Sequence, residues 1–202
     1  MQKQKIVIVN TGCANISSVR FALERLGVAV EVSDNKSVIT SADKVFLPGV
    51  GTAAAAMSSI AQKDLVSTLQ SLTQPVLGVC LGMQLMVETS AERAQTQSDI
   101  ECLSLMPGHV ARMTAEGQRL PHMGWNTITH SDETLFKGID QGTYFYFVHS
   151  FAVTEYEHTL ARCDYGGVFS AAINKDNFFG VQFHPERSGE AGAQLLTNFV
   201  NL

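Results

Sequence analysis

The first half of the chain alternates short apolar runs with amphipathic stretches. The apolar runs have the length of strands and cover residues 5–10, 28–32, 44–47 and 76–79. Between the first two, Val19, Leu23 and Leu26 recur at helical spacing before Gly27, which predicts a helix that ends there. Further helical stretches are predicted over 52–57 and then to about Leu72. This alternation predicts a parallel sheet with helices on both faces.

The second half has a different pattern, because β-rich runs follow one another without helices from about Gly108. The runs cover residues 109–113, 126–129, 143–148, 152–154, 160–163, 170–174 and 178–183. They predict an antiparallel or mixed β extension on the same domain. Ala193, Leu196 and Val200 then recur at helical spacing, so a final helix is predicted over Gly189–Val200.

Length and charge narrow the class of protein. The chain has 202 residues, which fits a single domain over 1–202 with a full core. Its net charge is −5 and it has no basic cluster, which argues against nucleic-acid binding. The apolar part of residues 1–10 is too short for a signal peptide, so we interpret it as the first strand. No stretch approaches the ~20 apolar residues of a membrane-spanning helix.

Four cysteines lie far apart in the sequence: Cys13, Cys80, Cys102 and Cys163. They form no C-x-x-C pair, so neither a zinc site nor a disulfide framework is indicated. We therefore expect a protein of the reducing cytoplasm that holds no metal and no cofactor.

Cys80 lies where a buried strand turns into a stretch of helix formers, with Gly78 and Gly82 two residues away on either side. This is the arrangement of a nucleophile elbow with Cys in place of Ser, since small neighbours allow a sharp turn that exposes the side chain. The N–H of Leu81 is then available to an oxyanion. The alternative is a buried structural cysteine, which the two glycines make the weaker interpretation.

A cysteine nucleophile needs a base, and His184 at the end of an apolar strand is the candidate. Pro185 favours an extended backbone at His184. Glu186 then lies on the same side of the chain and can orient the imidazole. His149 is the rival base, but no acid follows it at the second position. The other four histidines show no metal-ligand spacing.

Two further positions have functional and structural interpretations. Residues 48–51 contain two glycines around Val50, so a mobile peptide there could turn an N–H towards an oxyanion, although a plain turn explains the pattern equally well. Gln84 lies one helical turn after Cys80 and could present its amide to a polar substrate, or it could be a simple helix residue.

Several motifs together carry a resemblance to a known family. Residues 78–84 (GVCLGMQ) and 180–186 (GVQFHPE) are similar to the class I, or triad, glutamine amidotransferases. More narrowly, the chain resembles the glutaminase subunits of imidazole glycerol phosphate synthase. The motifs for this are 47–51 (LPGVG), 121–126 (PHMGWN), 144–150 (YFYFVHS) and 184–189 (HPERSG). The resemblance covers essentially the whole chain, and block 121–126 separates these subunits from other amidotransferases.

The resemblance implies a flavodoxin-like three-layer α/β/α fold and hydrolysis of glutamine to glutamate and ammonia. It also implies a heterodimer with a (β/α)8 cyclase subunit, which uses the ammonia to make imidazole glycerol phosphate and AICAR in histidine biosynthesis. A physical argument supports a partner, because water would protonate released ammonia at neutral pH and the chain has no room for a second synthase domain.

The resemblance also implies roles for individual residues. Cys80 would be the nucleophile, His184 the acid and base, and Glu186 its orienting group. The other positions that match family motifs are Val50, Gly51 and Leu81 at the oxyanion, Gln84, Glu92, Ser150 and Phe151 at the glutamine, and Pro121, His122, Met123, Gly124, Trp125 and Asn126 at the partner interface.

Two segments depart from the family pattern. The first turn, residues 10–15, lacks the Asp and the Gly-rich run of many relatives, and residues 52–56 read Thr-Ala-Ala-Ala-Ala where many carry an aromatic residue. Two rival functions stay open from sequence alone. One is a cysteine hydrolase of the same fold that acts on peptides or γ-glutamyl conjugates, and the other is an inactive scaffolding relative.

Overall fold

The computed structural model of the chain describes residues 4–12, 15–92, 98–131 and 133–202. These residues form fourteen strands: β1 (Ile6–Val9), β2 (Val30–Ser33), β3 (Lys44–Gly49), β4 (Val76–Cys80), β5 (Thr89–Ser90), β6 (Ile100–Glu101), β7 (His109–Arg112), β8 (His122–Thr127), β9 (Thr129–His130), β10 (Tyr144–His149), β11 (Phe151–Val153), β12 (Thr159–Asp164), β13 (Val168–Lys175) and β14 (Phe178–Val181). The helices are α1 (Ile16–Arg25), α2 (Lys36–Thr40), α3 (Ala53–Gln62), α4 (Val66–Gln70), α5 (Leu81–Gln84), a 3-10 helix (Pro185–Arg187) and α6 (Gly189–Val200).

The main sheet has eight strands in the order β2-β1-β3-β4-β14-β13-β12-β9. The pairings from β2 through to β14 are parallel, and those from β14 to β9 are antiparallel. The order 2-1-3-4 at the parallel end is that of flavodoxin-like sheets. The sheet confirms the α/β fold with a mainly parallel core and an antiparallel extension that the sequence predicts.

Strand β1 shows how one sheet supports two cores. Successive side chains of a strand point to opposite faces. Ile6 and Ile8 accordingly pack with helices α1 and α6, whereas Val7 and Val9 pack on the other face with α3 and α4. All four residues are buried, which explains why the strand reads as continuous apolar sequence. The result is three layers, with helices on both faces of the sheet.

Two smaller sheets flank the main one. Strands β11, β7, β5 and β6 form the first, and β8 pairs with β10 in the second. The sequence predicted neither β5 nor β6, and it predicted a strand at 126–129 where β8 in fact begins at His122. These strands are short or interrupted by Gly124 and polar residues, so pairing with β10 rather than local propensity holds β8 in place.

The predicted helical stretch that continues to about Leu72 is divided in the structure. Helix α3 ends at Gln62 and α4 occupies only Val66–Gln70. Between them Asp64 adopts a left-handed backbone with φ +53°, which breaks the helical path. None of the helices in the described ranges is long and apolar enough to cross a membrane.

The two segments that depart from the family pattern behave differently. Thr52 caps helix α3, because its hydroxyl accepts a hydrogen bond from the N–H of Ala55 at 3.3 Å. The small residues after Thr52 pack closely, with Ala53 and Ala56 buried in the core. In the first turn Cys13 and Ala14 lie outside the described residues.

Candidate active site

Cys80 ends strand β4 and immediately precedes helix α5. Its backbone has φ +54° and ψ −113°, a conformation that L-residues rarely adopt and that the surrounding structure must impose. A Cβ atom on Gly82 would lie 1.7 Å from the carbonyl oxygen of Leu47, and one on Gly78 would lie 2.8 Å from Gly82 oxygen. The two glycines therefore permit strands β3 and β4 and the elbow to approach each other, as the elbow motif requires.

His184 follows strand β14, and the segment that carries it is fixed to strand β10. The N–H of His184 donates to the carbonyl oxygen of Tyr146 at 2.8 Å, and the hydroxyl of Ser188 donates to the carbonyl oxygen of His184 at 2.7 Å. Glu186 Oε1 lies 2.8 Å from His184 Nδ1, and the carboxylate is almost fully buried. The carboxylate thus fixes the proton of the imidazole on Nδ1 when the ring is neutral.

The electrostatics favour a charged imidazole at His184. Burial alone would lower its pKa, but interaction with Cys80 and Glu186 outweighs burial and raises the pKa to about 10. Nε2 of His184 is buried and has no hydrogen bond that satisfies normal geometry among the described residues, so the interaction with Cys80 is looser than a full hydrogen bond. Nε2 is accordingly free to exchange a proton with a group that enters the site.

The sulfur of Cys80 has two polar neighbours from distant parts of the chain. Sγ lies 3.9 Å from the carbonyl oxygen of Val148 and 3.8 Å from Gln182 Nε2. No role for Gln182 was predicted from the sequence. A signal was present, because Gln182 lies two residues before His184 in an extended segment and therefore points to the same side.

One pocket brings together most of the residues that the sequence singled out. Its walls are formed by Val50, Gly51, Cys80, Leu81, Gln84, Glu92, Val148, His149, Ser150, Phe151 and His184. Glu186 lies behind His184 and does not line it. No group of three or more His, Cys, Asp or Glu in the described ranges is placed to hold a metal ion.

Gln84 and Glu92 are held by local hydrogen bonds on the pocket wall. The Gln84 amide donates to the carbonyl oxygen of Phe151 at 2.8 Å and to Gln182 Oε1 at 2.9 Å. Glu92 accepts a hydrogen bond from the N–H of Ala53 at 3.0 Å, at the start of helix α3. Burial raises the pKa of Glu92, and the hydrogen bond from Ala53 opposes this in part.

His149, the rival base, faces away from the sulfur. Its Nε2 lies 3.0 Å from Nδ1 of His122, and its Nδ1 lies 2.9 Å from the carbonyl oxygen of Phe151. Burial lowers the pKa of His149 to about 3, against a smaller opposing effect of the hydrogen bond to Phe151. Both ring nitrogens are therefore engaged, and neither is directed at Cys80.

The predicted oxyanion residues lie on two sides of the elbow. Leu81 is buried at the first position of helix α5, and the loop after β3 carries Val50 and Gly51. Val50 is 39% exposed, and Gly51 adopts φ +94°, a left-handed conformation that suits glycine. A Cβ atom on Gly51 would meet nothing within 4 Å, so no neighbouring atom packs against that side of the residue.

Block 121–126 forms strand β8 except for its first residue, and its side chains alternate. Met123 and Trp125 are 62% and 55% exposed, and Tyr144 on the adjacent strand β10 is 59% exposed. His122 is buried on the opposite side. An exposed aromatic and apolar cluster of this kind is typical of a protein–protein interface.

Comparison with known proteins shows which family this chain belongs to. A family model described as glutamine amidotransferase class-I matches residues 7–202. The chain belongs to this family. The match includes Cys80, His184 and Glu186, which the fold brings to the edge of one sheet.

Curated relatives are similar over their whole length. The chain is 53% identical to imidazole glycerol phosphate synthase subunit HisH of Colwellia psychrerythraea, over 100% of this chain and 95% of the relative. It is 56% identical to the HisH subunit of Shewanella sediminis, over 97% of this chain and 90% of that one. The corresponding subunit of Vibrio vulnificus is 52% identical over the full length of both chains. The chain therefore belongs to the HisH group within the family.

Solved structures share the fold at lower identity. A glutamine amidotransferase superimposes with a TM-score of 0.73 at 15% identity, over 96% of this chain and 97% of that chain. PurLQS from Thermotoga maritima gives a TM-score of 0.72 at 20% identity, over 99% of both chains. At these identities the comparison confirms the fold.

Proposed function

We propose that this chain is the glutaminase subunit of imidazole glycerol phosphate synthase and hydrolyses glutamine to glutamate and ammonia for histidine biosynthesis. The observation that carries the proposal is that Cys80 and His184 line one pocket, with Glu186 bound to His184 from behind, in a chain of the HisH group. The sulfur lies on a strained elbow, and a buried carboxylate is hydrogen-bonded to the imidazole at 2.8 Å.

The reaction follows from the position of each group. The thiolate of Cys80 attacks the side-chain amide carbon of glutamine and forms a tetrahedral intermediate. His184 gives its Nε2 proton to the amide nitrogen, and ammonia leaves. The neutral His184 then takes a proton from water, which attacks the thioester, releases glutamate and restores the thiolate. Glu186 holds the ring and stabilises its charged form throughout.

Groups on the pocket wall would stabilise and hold the substrate. The N–H of Leu81 and an N–H of the loop at Val50 and Gly51 would receive the oxyanion of the intermediate. Gln84 uses its NH₂ group within the protein, so its carbonyl oxygen is the atom left to accept a hydrogen bond from glutamine. Glu92 would attract the ammonium group, and Ser150 and Phe151 would complete the wall.

A partner is needed because free ammonia would be protonated by water. The relatives are named as subunits of imidazole glycerol phosphate synthase. We infer that a (β/α)8 cyclase subunit binds this chain and receives the ammonia. Block 121–126 supplies the contact surface, where Met123 and Trp125 are exposed beside Tyr144. His122 and Asn126 would support this strand from its inner side.

We infer further that residues 1–202 act as one domain in the cytoplasm. The family model covers 7–202, and the two cores share the strands of one sheet. Cys80, Cys102 and Cys163 are free thiols in the described part of the chain, which is compatible with a reducing compartment.

Co-purification with the candidate barrel subunit tests the proposal, followed by measurement of glutamate formation from glutamine. The expected result is a stable 1:1 complex whose glutaminase rate rises when the nucleotide ligand of the barrel is added. Turnover of peptides or γ-glutamyl conjugates without any effect of the partner would instead support a cysteine hydrolase. No reaction of Cys80 with a glutamine-analogue electrophile would indicate an inactive relative.

A further inference from the structure

A run of polar side chains crosses the protein from strand β8 to the sulfur of Cys80. Its members are, in order, Asn126, His122, His149, Gln84 and Gln182, with the carbonyl oxygen of Phe151 between the second histidine and the first glutamine. All except Asn126 and Phe151 are buried. The proposed reaction uses none of these side chains as acid, base or nucleophile.

At the outer end of this polar chain, hydrogen bonds to the backbone determine which groups donate and which accept. Asn126 Oδ1 accepts the N–H of Thr127 at 2.8 Å, and Asn126 Nδ2 donates to the carbonyl oxygen of Asp164 at 2.9 Å. The NH₂ group, which can only donate, also lies 3.3 Å from Nε2 of His122. His122 therefore accepts at Nε2 and, when neutral, donates from Nδ1 to Nε2 of His149 at 3.0 Å.

The hydrogen bonds at the inner end fix the tautomer of His149 and the orientation of both glutamines independently. The carbonyl oxygen of Phe151 can only accept, so His149 carries its proton on Nδ1, and Gln84 presents its NH₂ group there. That NH₂ group also faces Gln182 at 2.9 Å, so Gln182 must present its carbonyl oxygen to Gln84. The NH₂ group of Gln182 is then the one directed at Cys80 Sγ.

The surroundings of His122 and His149 keep both rings neutral, as this assignment of donors and acceptors requires. The ring of His122 stacks between Phe147 and Tyr165, with centroids 4.8 Å and 4.0 Å away. Burial lowers the pKa of His122 to about 4 and that of His149 to about 3. A proton on either ring would leave two donors facing each other or an unpaired charge in the interior.

We propose that Gln182 is a positioning residue that donates a hydrogen bond to Cys80 Sγ. Gln84 holds it in this orientation, and the polar chain from Asn126 supports the Phe151 carbonyl oxygen to which Gln84 donates. The proposal rests on the proposed role of Cys80 as nucleophile. Besides His184, whose interaction with the sulfur is looser than a full hydrogen bond, the sulfur has the Val148 carbonyl oxygen as a neighbour in the described ranges, and this oxygen cannot donate. The donor stabilises the thiolate and fixes the sulfur on the strained elbow, while His184 is left to transfer protons.

The test compares the rate of Cys80 alkylation by iodoacetamide against pH in wild type and Gln182→Met. The variant has similar volume and no donor. Because a hydrogen bond to a charged group is lost, the midpoint of the profile should rise by about one pH unit. In the partner complex, kcat for glutamine should fall about tenfold with KM nearly unchanged. The titratable groups that line the pocket with Cys80 are His184, Glu92 and His149, with Glu186 behind His184.

Ser170→Ala is the matched control, since Ser170 is equally buried and hydrogen-bonded but lies outside the polar chain. It should lower thermal stability without moving the alkylation midpoint. Should Gln182→Met not fold, Gln182→Asn is used, because its shorter side chain withdraws the same donor. A midpoint equal to that of wild type in the folded Gln182 variant would mean that Gln182 is only structural, and would overturn the proposal.

His122→Phe tests the rest of the polar chain, because a phenyl ring keeps the stacking and removes both hydrogen bonds. A rise of the midpoint in the same direction as for Gln182→Met is expected, by a smaller amount. If Gln182→Met moves the midpoint and His122→Phe does not, the part of the proposal that concerns the polar chain is overturned. Alkylation needs neither glutamine nor partner, so this result is separate from failure of the proposed glutaminase function.

Discussion

At the scale of single residues, His184 and His149 show how environment decides which histidine can transfer protons. Both are buried near Cys80, but their pKa values move in opposite directions, to about 10 and about 3. The difference lies in their partners, since His184 faces a carboxylate and a sulfur, whereas His149 faces a carbonyl oxygen and a neutral histidine.

Replacing each histidine by Asn tests whether His184 or His149 is the catalytic base. His184→Asn should reduce glutaminase activity in the partner complex by ~10²–10⁴-fold, because general acid–base transfer is lost. His149→Asn should have the smaller effect, through the orientation of Gln84 and Gln182. Steady-state assays of glutamate release decide between them. A greater loss in His149→Asn would contradict the assignment of the base.

Gly82 offers a test of the elbow that does not depend on catalysis. Alanine there would place Cβ 1.7 Å from the carbonyl oxygen of Leu47, so the backbone must move. Gly82→Ala should lower the free energy of unfolding by about 3 kcal/mol, which is at the upper end of the usual cost of an overpacking substitution. Gly117→Ala is the control, since its Cβ has open space and only its φ of +73° is unfavourable, at about 1 kcal/mol. Urea unfolding of both should give this order, and equal costs would contradict the close approach.

The sequence predicted the elbow because all its determinants lie within a few residues of Cys80. The pairing of His184 with Glu186 was predictable for the same reason. The side on which Gln182 lies was predictable from its spacing to His184, but its partners were not, because its contacts with Cys80 and Gln84 join residues about a hundred positions apart. The pairing of β14 with β4 brings these residues close to each other in the fold.

At the scale of elements, we expect the loop between β3 and α3 to be the part of the pocket that changes conformation, since Val50 is exposed and Gly51 has open space beside it. Gly51→Pro removes an N–H, and proline cannot adopt φ +94°. The glutaminase rate of the complex should therefore rise much less in this variant when the ligand of the partner is added. Loss of one oxyanion donor costs ~10²–10³-fold. Alkylation of Cys80 should stay near the wild-type rate.

Gly51→Ala is the matched control for that loop, since it keeps the N–H. Its Cβ has open space, and the left-handed φ of +94° costs only about 1 kcal/mol. It should retain most of the stimulation in the same glutaminase assay. Full stimulation in Gly51→Pro would instead locate the switch elsewhere, for instance in closure of the two subunits.

Strand β10 links the proposed partner surface to the catalytic histidine. Tyr146 lies opposite Trp125 of β8, and its carbonyl oxygen accepts the N–H of His184. Parallel strands β1, β3 and β4 were predictable from buried apolar runs. Strand β8 was predictable only in part, because Gly124 and the polar residues of the block give a weak strand pattern without β10.

At the scale of the whole molecule, buried histidines make stability depend on pH. His122 and His149 have folded pKa values of about 4 and about 3, below the ~6.5 of an unfolded histidine. The unfolded chain therefore binds more protons below about pH 6.5, and stability is lost as pH falls from there towards the folded values. His184 acts in the opposite direction, since its raised pKa gives stability that is full below about pH 6.5 and is lost as pH rises through about 10.

Urea unfolding of wild type and His122→Phe between pH 4 and 6.5 measures the first effect. Each proton that only the unfolded chain binds changes the free energy of unfolding by about 1.4 kcal/mol per pH unit. The variant lacks one such group, so its free energy of unfolding should fall less steeply on acidification. Equal slopes would show that His122 is not kept neutral by the fold.

The proposed function depends on one property: Cys80 releases ammonia from glutamine, and a partner protein uses that ammonia. The direct measurement is product formation by the complex of the barrel protein with wild type or Cys80→Ala, with either glutamine or ammonium salt at raised pH as the nitrogen source. The variant should bind the partner, lose the glutamine-dependent reaction to background and keep the ammonia-dependent one. Glutamine-dependent turnover within a few-fold of wild type in Cys80→Ala would contradict the assignment of Cys80 as the nucleophile.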